Sequence, residues 1–202
     1  MSFGFSCPSR VIAEAVKYAH DQDVLLIAAA GNDGSTEDVR YPARDKHVLC
    51  IHAATAMGDR YAGNPSRKRN VSNIALLGVD VKGACVAAPG REPSFVRRSG
   101  TSQATAVAAG VAALVIQIMR ESRAEVLDKG WSSQRYESAF SQLKTLDSML
   151  RVFEKMSDQR GEYDVVLPWL LVKGLNPLRP RDVARHICGE IMRLMEHYVE
   201  DS

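Results

Sequence analysis

The strongest constraint on how this chain can fold is the run Ala106-Val-Ala-Ala-Gly-Val-Ala-Ala-Leu114, entered through Gly100-Thr-Ser-Gln-Ala-Thr105. Its side chains are small and apolar, with no polar side to leave in water, so it predicts a slim helix packed on all sides and running to about Arg120. The Gly-Thr approach puts Ser102 where that helix begins, rooted in packed structure with its hydroxyl outside. The first N–H groups of a helix have no partner within it and carry partial positive charge. An oxyanion forming on an acyl group bonded to Ser102 would be stabilised there. Ser102 is therefore a candidate nucleophile, the plain alternative being a serine that caps an ordinary buried helix.

A helix of that kind needs layers to pack against. Asp23-Val-Leu-Leu-Ile-Ala-Ala-Ala30 and His47-Val-Leu-Cys-Ile-His-Ala-Ala54 are continuous apolar runs that read as strands buried on both faces. A helix in the crossover between two such strands predicts parallel pairing of right-handed connection. Ser9 can cap a helix carrying Val11, Ile12, Ala15, Val16 and Ala19, ending near His20-Asp21. Val79 to Ala88 holds another short strand, stopped by Pro89-Gly90, and Arg91 to Ser99 reads as a polar loop. Beyond Glu121 the character changes. From Trp131 to Arg160, Tyr136, Phe140, Leu143, Leu146, Leu150 and Phe153 recur at the spacing of an amphipathic helix. Pro168, Pro177 and Pro180 break the chain around Trp169-Leu-Leu-Val172, and Asp182 can cap a last helix striped by Val183, Ile187, Ile191, Leu194, Met195 and Tyr198. The expected architecture is α/β, a mostly parallel sheet flanked by helices over residues 1–122, with an α-helical C-terminal extension over 123–202. Periodicity leaves open whether those last helices cover the core, bind a protein partner or belong to a neighbouring region.

At 202 residues the chain holds one medium core or a core with an appendage. A net charge of +2 argues for no particular polyanionic partner, and Arg67-Lys68-Arg69, with no interleaved aromatics, reads as a solvated loop rather than a nucleic-acid site. Cys7, Cys50, Cys85 and Cys188 lack metal-ligand spacing and read as reduced, buried thiols, which implies a cytoplasmic setting. Met1 to Pro8 has no basic start and no apolar region long enough for a signal peptide. The apolar stretches read as too short and too alanine-rich for a membrane span. No cofactor is expected and no metal site, since no loop clusters enough carboxylates for calcium.

Three separated stretches must be explained together: Ala28-Ala-Ala-Gly-Asn-Asp-Gly34, Val86-Ala-Ala-Pro-Gly90 and Gly100-Thr-Ser-Gln-Ala-Thr105. In that order and spacing they resemble the subtilisin-like serine peptidases, and Met1-Ser-Phe-Gly4 resembles the segment that lines the substrate cleft in that family. The resemblance covers about residues 1–120 and implies the C-terminal part of a peptidase domain. It implies Ser102 as nucleophile and Asn32 as the oxyanion-hole amide working with the Ser102 N–H. Ser2, Phe3, Gly4, Ala30 and Gly31 are implied as walls receiving the backbone of a peptide or protein substrate and the side chain before the scissile bond. Read by itself, Asn32 is equally a turn residue between glycines.

The departures are as informative. The family's Asp-x-Gly and His-Gly-Thr segments, which precede these stretches and carry the other two members of the triad, do not stand ahead of them in this sequence. His20, His47, His52, His186 and His197 lie in other contexts, and the first three read as structural. Ala106 and Val107 stand where the family usually has a proline and often a histidine. A serine without a base is barely nucleophilic near neutral pH. The expectation is a serine endopeptidase site that is inactive as the isolated chain, its remaining strands presenting an unpaired edge. The competing reading is a non-catalytic peptidase-like or helical interaction module.

Overall fold

A computed structural model describes residues 1–66, 72–85, 94–128, 130–173 and 179–200, the last four without their side chains. The Arg67-Lys68-Arg69 cluster, Val86 to Gly90, Pro177 and the side chain of Tyr198 lie outside the described residues. The element order is α1 (Arg10–Asp21), β1 (Leu26–Ala29), β2 (Val48–Ala54), β3 (Ile74–Leu77), β4 (Val81–Cys85), β5 (Ser94–Arg98) and α2 (Thr101–Glu121). There follow α3 (Arg123–Leu127), α4 (Ser133–Gln142), α5 (Leu146–Lys155), β6 (Ser157–Arg160), β7 (Tyr163–Val166), a 3-10 turn at Pro168–Val172 and α6 (Pro180–Glu200).

The main sheet has the order β1-β2-β3-β7-β6, parallel except for the β6–β7 hairpin. Alternation along each strand sorts its side chains onto two faces. Ile27, Leu49, Ile51, Ala53, Ile74 and Leu76 join α2 and the later helices in the large core. Ala28, Ala30 and Val48 pack with Val16 of α1 on the other face. The helix–sheet–helix layering is the expected α/β architecture, with β1 on the sheet edge and Met1 bonded to it: the Met1 ammonium donates to the Ile27 carbonyl, and the Ala29 N–H to the Met1 carbonyl at 3.0 Å.

Several local expectations are corrected. β1 and β2 pair in parallel, but residues 30–47 between them form no helix. The segment from Trp131 to Arg160 is two helices and a strand. Thr145 starts the second helix by accepting the Ser148 N–H on its hydroxyl, so the apolar spacing carried across a capping residue. β3 lies in a stretch with no expected strand, and β7 pairs with it at Ile74↔Asp164 and Ala75↔Val165. Val81–Cys85 does form a strand, but in a largely exposed hairpin with β5, where a polar loop was expected. Of the cysteines only Cys188 is buried, Cys7 is exposed, and all four are free thiols. Of the C-terminal stripe, Ile187, Ile191 and Met195 enter the same core as α2, joined there by Cys188 and Met192, and Val183 and Leu194 pack partly buried against it.

α2 itself differs from expectation in two ways. It packs on β1, β2 and β3 and against α6, yet Ala106, Ala109, Gly110, Ala113 and Leu114 form an exposed apolar face, Leu114 being 63% exposed. At 21 residues it is also long and apolar enough to cross a membrane by length and composition, contrary to the sequence expectation. Packing against the sheet and the later helices accounts for the apolarity of Ala104, Ala108, Ala112, Val115 and Met119, but not for that of the exposed face.

Candidate active site

α2 begins at Thr101 behind Gly100, so Ser102 is the second helical residue and not the cap. A Cβ at Gly100 would lie 3.2 Å from both polar atoms of the Asn32 amide, and Gly100 has φ 156°, so glycine permits the close approach of this turn to Asn32. The Thr101 N–H donates to Asn32 Oδ1 at 2.8 Å. Because the oxygen of the amide is committed inward, Nδ2 is the group available to donate outward. Thr101 completes the lock. Its fully buried hydroxyl accepts the Gly31 N–H at 3.2 Å and lies 3.2 Å from the Gly31 carbonyl and 3.3 Å from Asn32 Oδ1. Sequence reasoning gave Thr101 no more than a part in the approach to the helix. The available signal was a hydroxyl next to the helix start, able to tie it to the turn after β1.

Ser102 is half-buried, and its hydroxyl donates to the Ser2 carbonyl at 3.1 Å while the Ser2 hydroxyl donates back to the Ser102 carbonyl at 3.2 Å. The Ser102 N–H, in the first turn, has no intrahelical acceptor. Ser2, Phe3, Gly4, Gly31, Asn32 and Ser102 therefore come together, lining one cleft of about 330 Å³ with Ala29, Asp33, Arg40 and Thr101. Ala30 does not. It is fully buried, with its N–H bonded to the Ile51 carbonyl and its carbonyl to the Arg40 N–H, and Ala29 lines the cleft instead.

Among the described side chains the histidines lie elsewhere. His20 stacks on His47 with ring centroids 3.9 Å apart, and His52 is buried against Tyr163 at 5.1 Å. The carboxylate lining the cleft, Asp33, accepts from Arg40 Nε at 2.8 Å, and the guanidinium is held even more firmly protonated by that bond. Asp33 and Arg40 were not foreseen as cleft residues. Asp33 follows Asn32 directly, but Arg40 reaches the site only through the fold of the 30–47 crossover.

Comparison with known proteins identifies the family. Residues 1–137 match the model of the subtilase family. The chain is 31% identical over 146 residues to the minor extracellular protease Epr of Bacillus subtilis, an alignment covering 64% of this chain and 20% of that protein. It is 33% identical over 117 residues to subtilisin BL of Lederbergia lenta, covering 58% of this chain and 40% of that one. The chain thus spans well under half the length of these relatives. Among solved structures, a mutant of the protease domain of PatA superposes with a TM-score of 0.58 at 23% identity, over 82% of this chain and 55% of that one. The prenylagaramide maturation protease PagA superposes with a TM-score of 0.54 at 23% identity, over 96% and 58%. These superpositions speak for the fold, and the family match for descent: the chain belongs to the subtilase family.

Proposed function

We propose that this chain supplies the nucleophile and oxyanion side of a peptide-bond-hydrolysing serine site, with the Asp and His of the triad coming from sequence outside it. The observation that carries the reading is the Thr101 N–H to Asn32 Oδ1 bond, which commits one end of the amide and frees the other beside Ser102. Given a base, Ser102 Oγ would attack the substrate carbonyl carbon as its proton passes to that base. The resulting oxyanion would accept from Asn32 Nδ2 and the Ser102 N–H, and collapse, with the base returning its proton to the leaving nitrogen, would expel the amine and leave an acyl-enzyme for water to hydrolyse. In the chain alone the Ser102 hydroxyl faces a carbonyl oxygen, which does not take its proton, so the isolated chain is expected to be inactive.

The test is fluorophosphonate labelling of residues 1–202, alone and completed by a polypeptide bearing the missing Asp and His. Labelling is expected only on completion, and not with Ser102→Ala. Asn32→Asp keeps the acceptor for Thr101 but loses the donor, and should lower turnover of the completed enzyme by about 10²–10³. Peptidase activity of the isolated chain that Ser102→Ala abolishes would refute the requirement for an outside base. A completed chain that stays unlabelled would leave the non-catalytic module as the better reading.

A further inference from the structure

The cleft beside Ser102 is floored by a charged side chain for which the proposed chemistry has no use. A Cβ on Gly4 would lie 2.6 Å from Arg40 Cβ, and one on Gly31 would lie 2.8 Å from Arg40 Cγ. The Arg40 stem therefore runs hard against both backbone walls, and the missing Cβ atoms are what make room for it. Gly4 and Gly31 are the walls between which the side chain before the scissile bond is expected to enter. Arg40 occupies the base of that slot, its side chain only 23% exposed.

The guanidinium has a definite arrangement. Nε donates to Asp33 at 2.8 Å and Nη2 lies 4.0 Å from Glu37, both carboxylates being about half exposed on the rim. A guanidinium carries five N–H donors in a planar fork, so its remaining donors stay available to a second carboxylate. A large apolar side chain entering the slot would meet the stem and would have to desolvate the charge without replacing its hydrogen bonds. A lysine side chain would be drawn to Asp33 but would sit beside Arg40, which already holds that carboxylate. A substrate carboxylate replaces the hydrogen bonds that the guanidinium loses with water and gains a charge-assisted bond in a recessed site, in competition with Asp33 and against the repulsion of Asp33 and Glu37.

We propose that Arg40 makes this cleft select an acidic side chain, Asp or Glu, on the residue preceding the scissile bond. The inference rests on the peptidase reading of the cleft, and the test separates the two. ¹⁵N-labelled chain is titrated with the peptides acetyl-Ala-Ala-Pro-X-Ala-amide, X being Glu, Ala, Phe or Lys. Binding is followed at the Gly31, Asn32 and Thr101 amides, and Kd is measured by calorimetry. The Glu peptide is expected to bind about tenfold more tightly than the Phe and Lys peptides. Arg40→Ala should erase that preference and improve the Phe peptide, and Asp33→Asn, by removing the competing carboxylate, should strengthen the Glu peptide. If peptides shift those amides but Phe or Lys is preferred, or if the preference survives Arg40→Ala, the assignment to Arg40 is overturned while the cleft reading stands. If no peptide shifts them, the cleft reading falls and the selectivity with it.

Discussion

Replacing Gly78 by alanine tests whether the start of α2 is held by rigid packing. The residue follows β3, its N–H bonded to the Ala54 carbonyl at 3.0 Å and its carbonyl accepting the Gly100 N–H at 2.8 Å. A Cβ there would lie 2.7 Å from Ala53 Cβ, 2.7 Å from the Gly100 carbonyl oxygen and 2.9 Å from Ala104 Cβ. Carbon–carbon contacts are comfortable at about 3.5–4.0 Å, so the deficit approaches 1 Å on two sides. None of the three neighbours has a rotamer to swing aside, because two are alanine Cβ atoms and the third is backbone. The strain must move β2 or the first turn of α2, at a cost of about 1–3 kcal/mol, against a total stability of about 5–15 kcal/mol for a domain. Urea denaturation followed by circular dichroism measures the difference. Gly110→Ala is the contrast: it lies within the same helix with nothing within 4 Å of a new Cβ, and should stabilise by about 0.5–1 kcal/mol through helix propensity. A Gly78→Ala protein within about 0.5 kcal/mol of the unsubstituted chain would refute the interlock of strand end, Gly100 and helix.

The other expectations concern how the C-terminal part is fastened to the first. The Tyr136 hydroxyl donates to the Met119 carbonyl at 2.6 Å in a fully buried contact between α4 and α2. Tyr136→Phe should therefore cost about 1–3 kcal/mol in thermal denaturation, and a loss of a few tenths would mean that this bond anchors nothing. Burial works against ionisation of Glu190, but Arg193 and Lys155 outweigh it and hold the carboxyl below its ordinary value. A carboxyl whose pKa is lowered on folding contributes stability above its unfolded value, and loses that contribution as pH falls through the folded one. Glu190→Gln should accordingly cost up to about 1 kcal/mol near neutrality and progressively less below about pH 4.5. A difference independent of pH would exclude the ion pairs as its cause.

What was legible in the sequence follows from how local each signal is. α1, β1, β2, α2 and α6 carry uninterrupted periodic or apolar runs and were readable to within a few residues. Ser102 and Asn32 were singled out from short motifs, and the structure brings them to one cleft because the turn after β1 and the start of α2 are tied by local backbone. β3 and β7 are four residues each, too short for a periodic run to show. β3 is a strand because β2 and β7 flank it, and β7 joins the main sheet through β3 beside its hairpin with β6; the β3–β7 ladder lies in no local window. Arg40 is similar: its place on the floor of the cleft comes from the return of the 30–47 crossover past Gly4 and Gly31. Ala30 erred in the opposite direction, a single residue of strand alternation turning it from the cleft into the core.

The pairing of β3 with β7 has a consequence for synthesis. β3 ends at Leu77 and its neighbour begins at Tyr163, so about 90 residues separate the two halves of this ladder. At a translation rate of ~5–20 residues per second, the β3 edge waits on the order of ten seconds for its partner strand to be made. Throughout that interval Ile74, Ala75 and Leu76, all but fully buried in the finished fold, stand next to open backbone. The nascent chain is then at its most prone to pair with a foreign strand, and a holdase would be of greatest use between the emergence of β3 and that of β7.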